Sequence, residues 1–425
     1  MKILVIGSGG REHALVWALK NSKRNTQIFC APGNAGIAEL AECVGIKPYQ
    51  INELADFARQ NEIELTIVGG ETSLALGVVD EFEKRGLRIM GASQKAARLE
   101  SSKVFAKEFM NRHNIPTAHF RTAASAAEAK EILRSGEFGD PDSPVVIKAD
   151  GLAAGKGVVV AKNRAEAEAA IDEIMSGALV SKEAAEKIIL EEALLGNEVS
   201  LLLFADGENY ALMPPARDYK RIGEGDTGPN TGGMGVITDG RLLTPEELQK
   251  IIDEIIKPTL AGAEKEGFPF KGILFLGLMM TADGPKVLEY NARFGDPEAE
   301  AILVRLESDL IDICGAIIEG TLDKDPIIWR DGCSAAVILA ARGYPGNPET
   351  GGVISGLDIV NGQQNVIVLH AGTALNPNGE IVTAGGRVLA VTATASNLTG
   401  AVHRCYKAVN EISWDGMYYR RDIGK

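Results

Sequence analysis

From the N-terminus to about residue 92, short apolar runs alternate with stretches of helical period. Lys2–Ile6, Gln27–Ala31, Leu65–Val68 and Arg88–Met90 read as strands; Glu12–Lys20, Asn52–Asn61 and Thr72–Lys84 read as helices. Strands alternating with helices over short connections predict βαβ units and a parallel sheet. Near Pro116 the pattern changes. Helix Ala126–Arg134, strand Val145–Lys148, a glycine loop, strand Val158–Val160, helix Ala165–Ser176 and strand Ile188–Glu191 predict a small, separate α+β unit. The glycine-rich stretch Met213–Gly235 reads as one long loop, a length that is usually functional or disordered. Thr244-Pro245-Glu246-Glu247 then supplies a helix cap, a first-turn proline and a capping-box glutamate. Ile273–Met280 and Lys286–Tyr290 predict an antiparallel pair turning at Asp283-Gly284, and more strands follow from about residue 333, with one helix near Leu398–Ile412.

At 425 residues the chain exceeds one ordinary core, and two to four domains are expected. No apolar run approaches the ~20 residues of a membrane span, and the first residues lack the order of a signal peptide. With 44 basic and 58 acidic side chains the net charge is −14, which argues against a nucleic-acid binder. Anionic ligands must therefore meet local basic groups, backbone amides or a metal. The five cysteines and five histidines are scattered, so disulfide, zinc and histidine-metal readings are poor and a reducing cytoplasm fits.

Five segments carry candidate chemistry. Gly7-Ser8-Gly9-Gly10-Arg11-Glu12-His13 joins a strand to a helix, where amides and the helix dipole favour an anion. Glu12 stands where a dinucleotide fingerprint has its third glycine, and the next strand ends in Ala31-Pro32-Gly33-Asn34 without a ribose-binding acid. Phosphate or sugar phosphate is thus favoured over NAD, against the blander reading of a tight turn without ligand. The hairpin from Val145 through Gly157 places Lys148 at a strand end and Lys156 at a glycine-rich tip. A buried ammonium requires an anionic partner, so Lys148 is expected to face a ligand or an acid. Glu191-Glu192-Ala193 and Glu198 follow in a segment suited to adenine and ribose, although a double glutamate is more often a solvated edge. Asp218-Tyr219-Lys220-Arg221 opens the glycine-rich stretch with a basic pair that could hold anions. In Glu289-Tyr290-Asn291-Ala292-Arg293, strand alternation puts Glu289, Asn291 and Arg293 on one face, two hard oxygen ligands beside a guanidinium, with Gly295-Asp296-Pro297 ending the strand at a cleft.

In this order the motifs closely resemble the glycinamide ribonucleotide synthetase family of the ATP-grasp superfamily. The resemblance covers essentially the whole chain: Gly7–Ala14, Pro32-Gly33-Asn34, Lys148–Val159, Lys220–Gly235, Asn291–Glu298, His370-Ala371-Gly372-Thr373, Gly385–Leu389 and Tyr419–Gly424. It implies an ATP-grasp fold of α/β and α+β parts: an N-terminal Rossmann-like, parallel-sheet domain over 1–103, a central lobe over 104–121 and 189–330, a mobile lid lobe over 122–188, and a C-terminal mixed α/β domain over 331–425. It further implies that Lys103, Lys148 and Lys156 contact ATP phosphates, that Glu191, Glu192 and Ala193 line adenine, that Glu198 holds the ribose, and that Glu289 and Asn291 ligate Mg2+, with Mn2+ as a substitute. Gly9, Gly10, Pro32, Gly33, Asn34, Glu71, Asp218, Lys220, Arg221, Gly295, Asp296 and Pro297 become the expected substrate-binding set, and Arg293 with Lys148 the catalytic pair. Departures from the family pattern fall at Gly70, Ala92, Tyr219, Ala299 and Glu300, the last two standing for threonine and glutamine. Strand Ile273–Met280 lacks the acid that some ATP-grasp enzymes use as a metal ligand.

The implied reaction activates the carboxylate of glycine as an acyl phosphate, which the amine of 5-phosphoribosylamine then attacks. The expected partners are these small molecules, with neither nucleic acid nor membrane, in a monomer with a dimer as the alternative. Another ATP-grasp carboxylate–amine ligase with a different acceptor is the nearest competing reading. A biotin-dependent carboxylase fits less well, because no biotinyl-lysine segment is present. A nicotinamide oxidoreductase would leave Lys148, Glu289 and Asn291 unexplained, and a non-catalytic nucleotide sensor would not need Arg293 or the run Asp226–Gly235.

Overall fold

The computed structural model describes residues 1–152, 157–177 and 185–425. The N-terminal part is a five-stranded parallel sheet in which β1 (Lys2–Gly7) and β2 (Gln27–Pro32) flank helix α1 (Gly10–Lys20) in sequence. β3 (Glu42–Cys43), α2 (Ile51–Gln60), β4 (Leu65–Val68), α3 (Glu71–Ala75), α4 (Val78–Lys84) and β5 (Ile89–Met90) complete it in the order β3-β2-β1-β4-β5. Period-two alternation sends Leu4 and Ile6 into one core and Ile3 and Val5 into another, so both faces of β1 are covered. The order reverses between β1 and β4, which places a crevice at the carboxyl ends of those strands. The single helix expected over Thr72–Lys84 is instead two, because Gly77 adopts φ 83°, a left-handed conformation that ends one helix and starts the next.

Helices α5 (Gln94–Ser101) and α6 (Lys103–Arg112), absent from the sequence reading, lead out of this sheet. A four-stranded sheet follows, built from β6 (Phe120–Ala123), β7 (Val145–Ala149), β8 (Val158–Ala161) and β9 (Ile188–Glu192) in the order β6-β9-β7-β8. α7 (Ala126–Arg134) and α8 (Arg164–Met175) pack with it around a core of its own, including Ile132, Ile147, Ile171 and Leu190. Its two helices and the strands β7, β8 and β9 match the expected pattern to within a residue or two, while β6 was not expected.

The rest of the chain is organised by one long sheet. β10 (Asn197–Asp206), β11 (Tyr210–Leu212), β12 (Ala216–Asp218) and β15 (Gly235–Thr238) enclose a short hairpin of β13 (Arg221–Gly223) and β14 (Thr227–Asn230). The segment Met213–Gly235 is therefore not one long loop. Its C-terminal anchor is Arg420, 1 % exposed, whose guanidinium pairs with Asp226 at 2.8 Å and Asp422 at 2.7 Å and donates to the Arg221 carbonyl. α9 (Pro245–Ile251) starts with the anticipated capping box, and α10 (Lys257–Lys265) continues it. β16 (Lys271–Thr281) and β17 (Gly284–Asn291) form the antiparallel pair. α11 (Glu298–Ile302), α12 (Leu310–Glu319), β18 (Cys333–Ala340), α13 (Leu357–Val360), β19 (Val366–His370), a small pair of β20 (Thr373–Leu375) with β21 (Ile381–Thr383), β22 (Arg387–Ala395) and α14 (Leu398–Val409) end the chain. The sheet runs β17-β16-β10-β12-β15-β18-β22-β19, so its hydrogen bonds continue across residue 331. Among the described residues no helix is long and apolar enough to cross a membrane.

Two buried histidines join the first and last parts. The His370 N–H at the end of β19 donates to His13 Nδ1 on α1 at 2.8 Å, and both residues are 5 % exposed. Burial, then His370, pulls His13 down to about 3, and burial pulls His370 down to about 4. An unfolded chain takes up these protons near the ordinary histidine value, whereas the fold resists them. Stability should therefore fall as pH drops from roughly 6.5 towards 4. His13→Gln should lose roughly 1–2 kcal/mol less across that window than the natural chain. Urea midpoints at both ends of it provide the check, and equal losses would contradict the assignment.

Candidate active site

The glycine loop after β1 is closed by its own glutamate. The Glu12 carboxylate accepts the Gly9 N–H at 2.5 Å and the Ser8 N–H at 3.1 Å, and takes Arg11 Nε at 2.7 Å. Gly7 at the end of β1 and Gly69 after β4 lie so close to this carboxylate that a methyl group at either would collide with it. Glu12 thus fills the crevice where a dinucleotide pyrophosphate would lie. The amides of Ser8 and Gly9 are engaged inside the protein, so Gly9 does not offer the expected anion contact. Asn34 is committed likewise: its Nδ2 donates to the Ser8 and His370 carbonyls, both at 2.8 Å, and its Oδ1 accepts from Ile37. Pro32 and Gly33 hold that turn, with the Gly33 N–H donating to the Gly7 carbonyl at 3.0 Å.

Glu289 and Asn291 do share a face of β17, opposite Gly277 and Phe275 of β16. The strand ends at Asn291, so Arg293 arrives by a bend rather than by alternation. Its fork is fully engaged: Nη2 reaches Glu100 at 2.8 Å and Asn291 Oδ1 at 3.2 Å, Nε reaches Glu71 at 3.3 Å, and Nη1 donates to the Phe294 carbonyl. Burial works to raise the Glu71 carboxyl, but Arg293 and Arg11 overcome it and hold it at about 2. Burial raises Glu100, with Arg293 opposing, while its carboxylate also accepts the Ala292 N–H at 2.8 Å. Arg293 therefore orients Asn291 and ties it to α3 and α5.

Around Glu289 the field is positive. Burial would raise this carboxyl, yet Lys220, Lys103, Lys148 and Arg293 keep it below the ordinary carboxylate range. An ionised carboxylate and an amide oxygen side by side fit a hard divalent cation. The described residues hold no cluster of three or more His, Cys, Asp or Glu suited to a metal, so phosphate oxygens would have to complete a shell begun by Glu289 and Asn291.

The cations are held in place by acids. Glu191, 2 % exposed, takes Lys148 Nζ at 3.0 Å and Lys107 Nζ at 3.1 Å on the same oxygen. Its other oxygen has no partner among the described residues. Lys148 also donates to the Leu288 carbonyl, and Lys103 to the Gly151 carbonyl at 3.0 Å. Lys107 is 2 % exposed and donates to Thr117 Oγ1; burial leads in drawing it down to about 8, against the pull of Glu191. Glu192 accepts the His119 N–H and pairs with Lys286 at 3.2 Å, and Ala193 follows at the end of β9. Glu198 pairs with Lys220 at 2.7 Å on the rim. Lys156, with residues 153–156, lies outside the described residues.

Opposite the cations lies an acidic side. Asp218, with one oxygen unpartnered among the described residues, sits beside Glu298, whose carboxylate accepts from Ser200 at 3.0 Å. Burial, then their mutual repulsion, raises Asp218 well above the ordinary range, and burial raises Glu298, with Lys220 opposing both. Gly295 abuts the Glu298 carboxylate, Pro297 abuts Gly233, and Asp296 pairs with Arg387 at 2.8 Å. Lys220 lies near enough to lower the Glu289 carboxyl, but Arg221 does not join it: its Nη1 donates to the Gly228 carbonyl in the hairpin.

Sequence reasoning missed Lys107, Glu100, Arg11, Glu298 and Arg387. A signal existed for Lys107, which sits three residues from both Val104 and Met110 on the buried stripe of α6. Glu100 likewise follows buried Ala96, Ala97 and Leu99 on α5. A charge on an apolar stripe must have a buried partner, though only the fold reveals which.

Lys107→Met should leave Glu191 with Lys148 alone. Breaking one side of a buried ionic cluster costs about 3–5 kcal/mol, and the freed Glu191 should hold Lys148 closer. The expected result is a lowered urea midpoint together with a several-fold higher KM for ATP. A destabilised variant with unchanged ATP KM would limit Lys107 to a structural role.

The chain matches three family models in succession: the phosphoribosylglycinamide synthetase N domain over residues 1–100, its ATP-grasp domain over 101–299 and its C domain over 334–425. It is 46 % identical over 427 residues to the phosphoribosylamine–glycine ligase of Xanthomonas axonopodis pv. citri, covering 100 % of this chain and 97 % of that one. It is 47 % identical to the ligase of that name from Vibrio parahaemolyticus, covering 100 % and 98 %. The crystal structure of phosphoribosylamine–glycine ligase from Thermotoga maritima superposes with a TM-score of 0.85 at 34 % identity, over 99 % of this chain and 100 % of that one. Biotin carboxylase of Campylobacter jejuni superposes at TM-score 0.75 and 16 % identity over 100 % and 94 %, a likeness of fold alone. The fold is ATP-grasp, and the chain belongs to the phosphoribosylglycinamide synthetase family.

Proposed function

We infer that the protein is an ATP-dependent ligase that joins glycine to 5-phosphoribosylamine, giving glycinamide ribonucleotide, ADP and phosphate in de novo purine biosynthesis. The observation that carries the reading is the gathering of Lys220, Lys103, Lys148 and Arg293 around an ionised Glu289 beside Asn291, in a chain whose whole length matches ligases of this name. These matches favour it over a ligase with another acceptor.

A carboxylate oxygen of glycine attacks the γ-phosphorus of ATP, the bond from that phosphorus to the β-γ bridging oxygen breaks, and ADP leaves. The amine nitrogen of phosphoribosylamine then attacks the carbonyl carbon of glycyl phosphate. The carbon–oxygen bond to phosphate breaks, and the proton that nitrogen gives up as the amide forms passes to the departing phosphate. Glu289 and Asn291 would hold Mg2+, or Mn2+ in its place, which would supply charge neutralisation at the transferring group. Lys148 and Lys103 meet the negative charge of the phosphates, and Arg293 keeps the Asn291 oxygen turned towards them. We assign the glycine end to Lys220 and Asp218, one for its carboxylate and one for its ammonium, with Glu191, Glu192, Ala193 and Glu198 on the adenosine side. The division into units over 1–103, 104–121 with 189–330, 122–188 and 331–425 is part of this proposal. We take the protein to act as a monomer, and its five free cysteines support the cytoplasm as its place of work.

ADP release should require glycine and phosphoribosylamine together, and should fall to background when either is left out; release independent of both would refute the reading. Glu289→Ala should lower kcat by about 10²–10³ or more with an unchanged circular dichroism spectrum. Arg293→Lys restores charge but not the fork. It should lower both the melting temperature and the apparent affinity for Mg2+, because Asn291 and Glu100 lose partners. A titration with Mg2+ that superposes on that of the natural chain would reject the orienting role.

A further inference from the structure

Glu300 carries a carboxyl that no step above uses. It is the third residue of α11, 1 % exposed, and its Oε2 has no hydrogen-bond partner among the described residues. Oε1 lies so close to Gly10 that a methyl group there would strike it. The carboxyl thus faces the N-terminus of α1, where the N–H groups of Gly10 and Arg11 have no acceptor among the described residues.

Neither neighbouring cation is available to neutralise it. Arg387 of β22 is paired with Asp296 at 2.8 Å and donates to the Asp296 and Gly232 carbonyls. Arg11 is paired with Glu12 and Glu71 and donates to the Phe294 carbonyl. The Asp296 carboxylate adds repulsion. Elsewhere on the packed elements, Asp218 of β12 faces Glu298 and Lys220, Arg305 is bonded to Thr238 and the Arg330 carbonyl, His13 of α1 faces His370, and Cys333 of β18 lies by Asp239. β15 contributes no titratable side chain. A buried carboxyl without a cation of its own, beside a second carboxylate, keeps its proton. Burial first, then Asp296, raises it well above the ordinary range, with Arg387, its own backbone N–H and Arg11 opposing only in part.

We propose that Glu300 is a specificity group on the acceptor side of the site: as an uncharged carboxylic acid it donates its O–H to an anionic oxygen held at the N-terminus of α1, as the phosphate of a phosphorylated amino sugar would supply. The proposal rests on the acceptor assigned under the proposed function. An ionised carboxylate in this place would repel that oxygen. Acceptor affinity is therefore complete while Glu300 is protonated and declines as pH rises through its pKa, by at most about ten-fold per pH unit.

Two measurements on the full chain test this. Infrared difference spectra of the natural chain against E300Q, recorded without substrates at neutral pH, should show a protonated-carboxyl band that E300Q lacks. Steady-state KM values for phosphoribosylamine, ATP and glycine should then be followed from neutral to mildly alkaline pH. E300A should raise the acceptor KM by about ten-fold, the cost of one such hydrogen bond, with the other two KM values moving less. E300Q, whose amide donates at every pH, should recover most of that loss and remove the alkaline rise in acceptor KM. The proposal is overturned if no acid band distinguishes the two proteins, if E300Q loses as much as E300A, or if E300Q and the natural chain share one alkaline profile. The infrared arm needs no turnover, so its result stands even if the chain releases no ADP with this substrate pair, an outcome that would instead defeat the proposed acceptor.

Discussion

A buried charge is tolerated only in company, and an alternating chain of such charges runs through this protein. Glu12 on α1 holds Arg11; Arg11 reaches Glu71 on α3; Glu71 meets Arg293 just past β17; and Arg293 meets Glu100 on α5 and the Asn291 amide. Each member is compensated by the next, so the orientation of Asn291 depends on a carboxylate in the glycine loop of another sheet. Removing one link leaves an ion in low dielectric, a heavier loss than that of one contact. The same constraint decides where the nucleotide goes. With Glu12 filling the switch point of the parallel sheet, no room remains there for a pyrophosphate. The lysines that could meet phosphates stand instead in the second cleft, around Glu289.

That cleft is electrically divided, which suits a reaction with two kinds of partner. The lysine side favours a polyanion and stabilises charge that builds on a transferring phosphoryl group. The side lined by Asp218 and Glu298, whose carboxyls burial pushes towards the uncharged form, offers hydrogen-bonding groups and little net charge. A chain with net charge −14 can therefore collect ATP, because the field at the site is set by neighbours a few ångströms away and distant surface charge is screened.

The parallel sheet, the small α+β unit and the β16–β17 pair were legible because local period and turn chemistry agree with the tertiary result. Helix Thr72–Lys84 was misread because an apolar pattern does not show that Gly77 turns left-handed. Met213–Gly235 was read as loop because its strands are only three or four residues long within a glycine-rich stretch, too short to show a period, and β15 is completed by Ser334–Val337, which no local window contains. The shared face of Glu289 and Asn291, and an acid against Lys148, were legible from strand alternation and from the anomaly of a charge at the end of an apolar run. The internal partners of Gly9, Asn34 and Arg293 were not, since composition shows a donor and only the fold shows whether it is already engaged.

The long mixed sheet has a bearing on modularity. The matched family domains change between residues 299 and 334, yet β15 and β18 are adjacent strands joined in register from Gly235↔Val337 to Thr238↔Ser334. Severing the polypeptide there would leave two fragments, each ending in a naked apolar edge with unpaired N–H and C=O groups, a template for adhesion between copies. The limits of the matched domains do not mark a break in the sheet. Gene fusions, truncations and split-protein reporters built on this scaffold must keep both halves of that seam in one molecule.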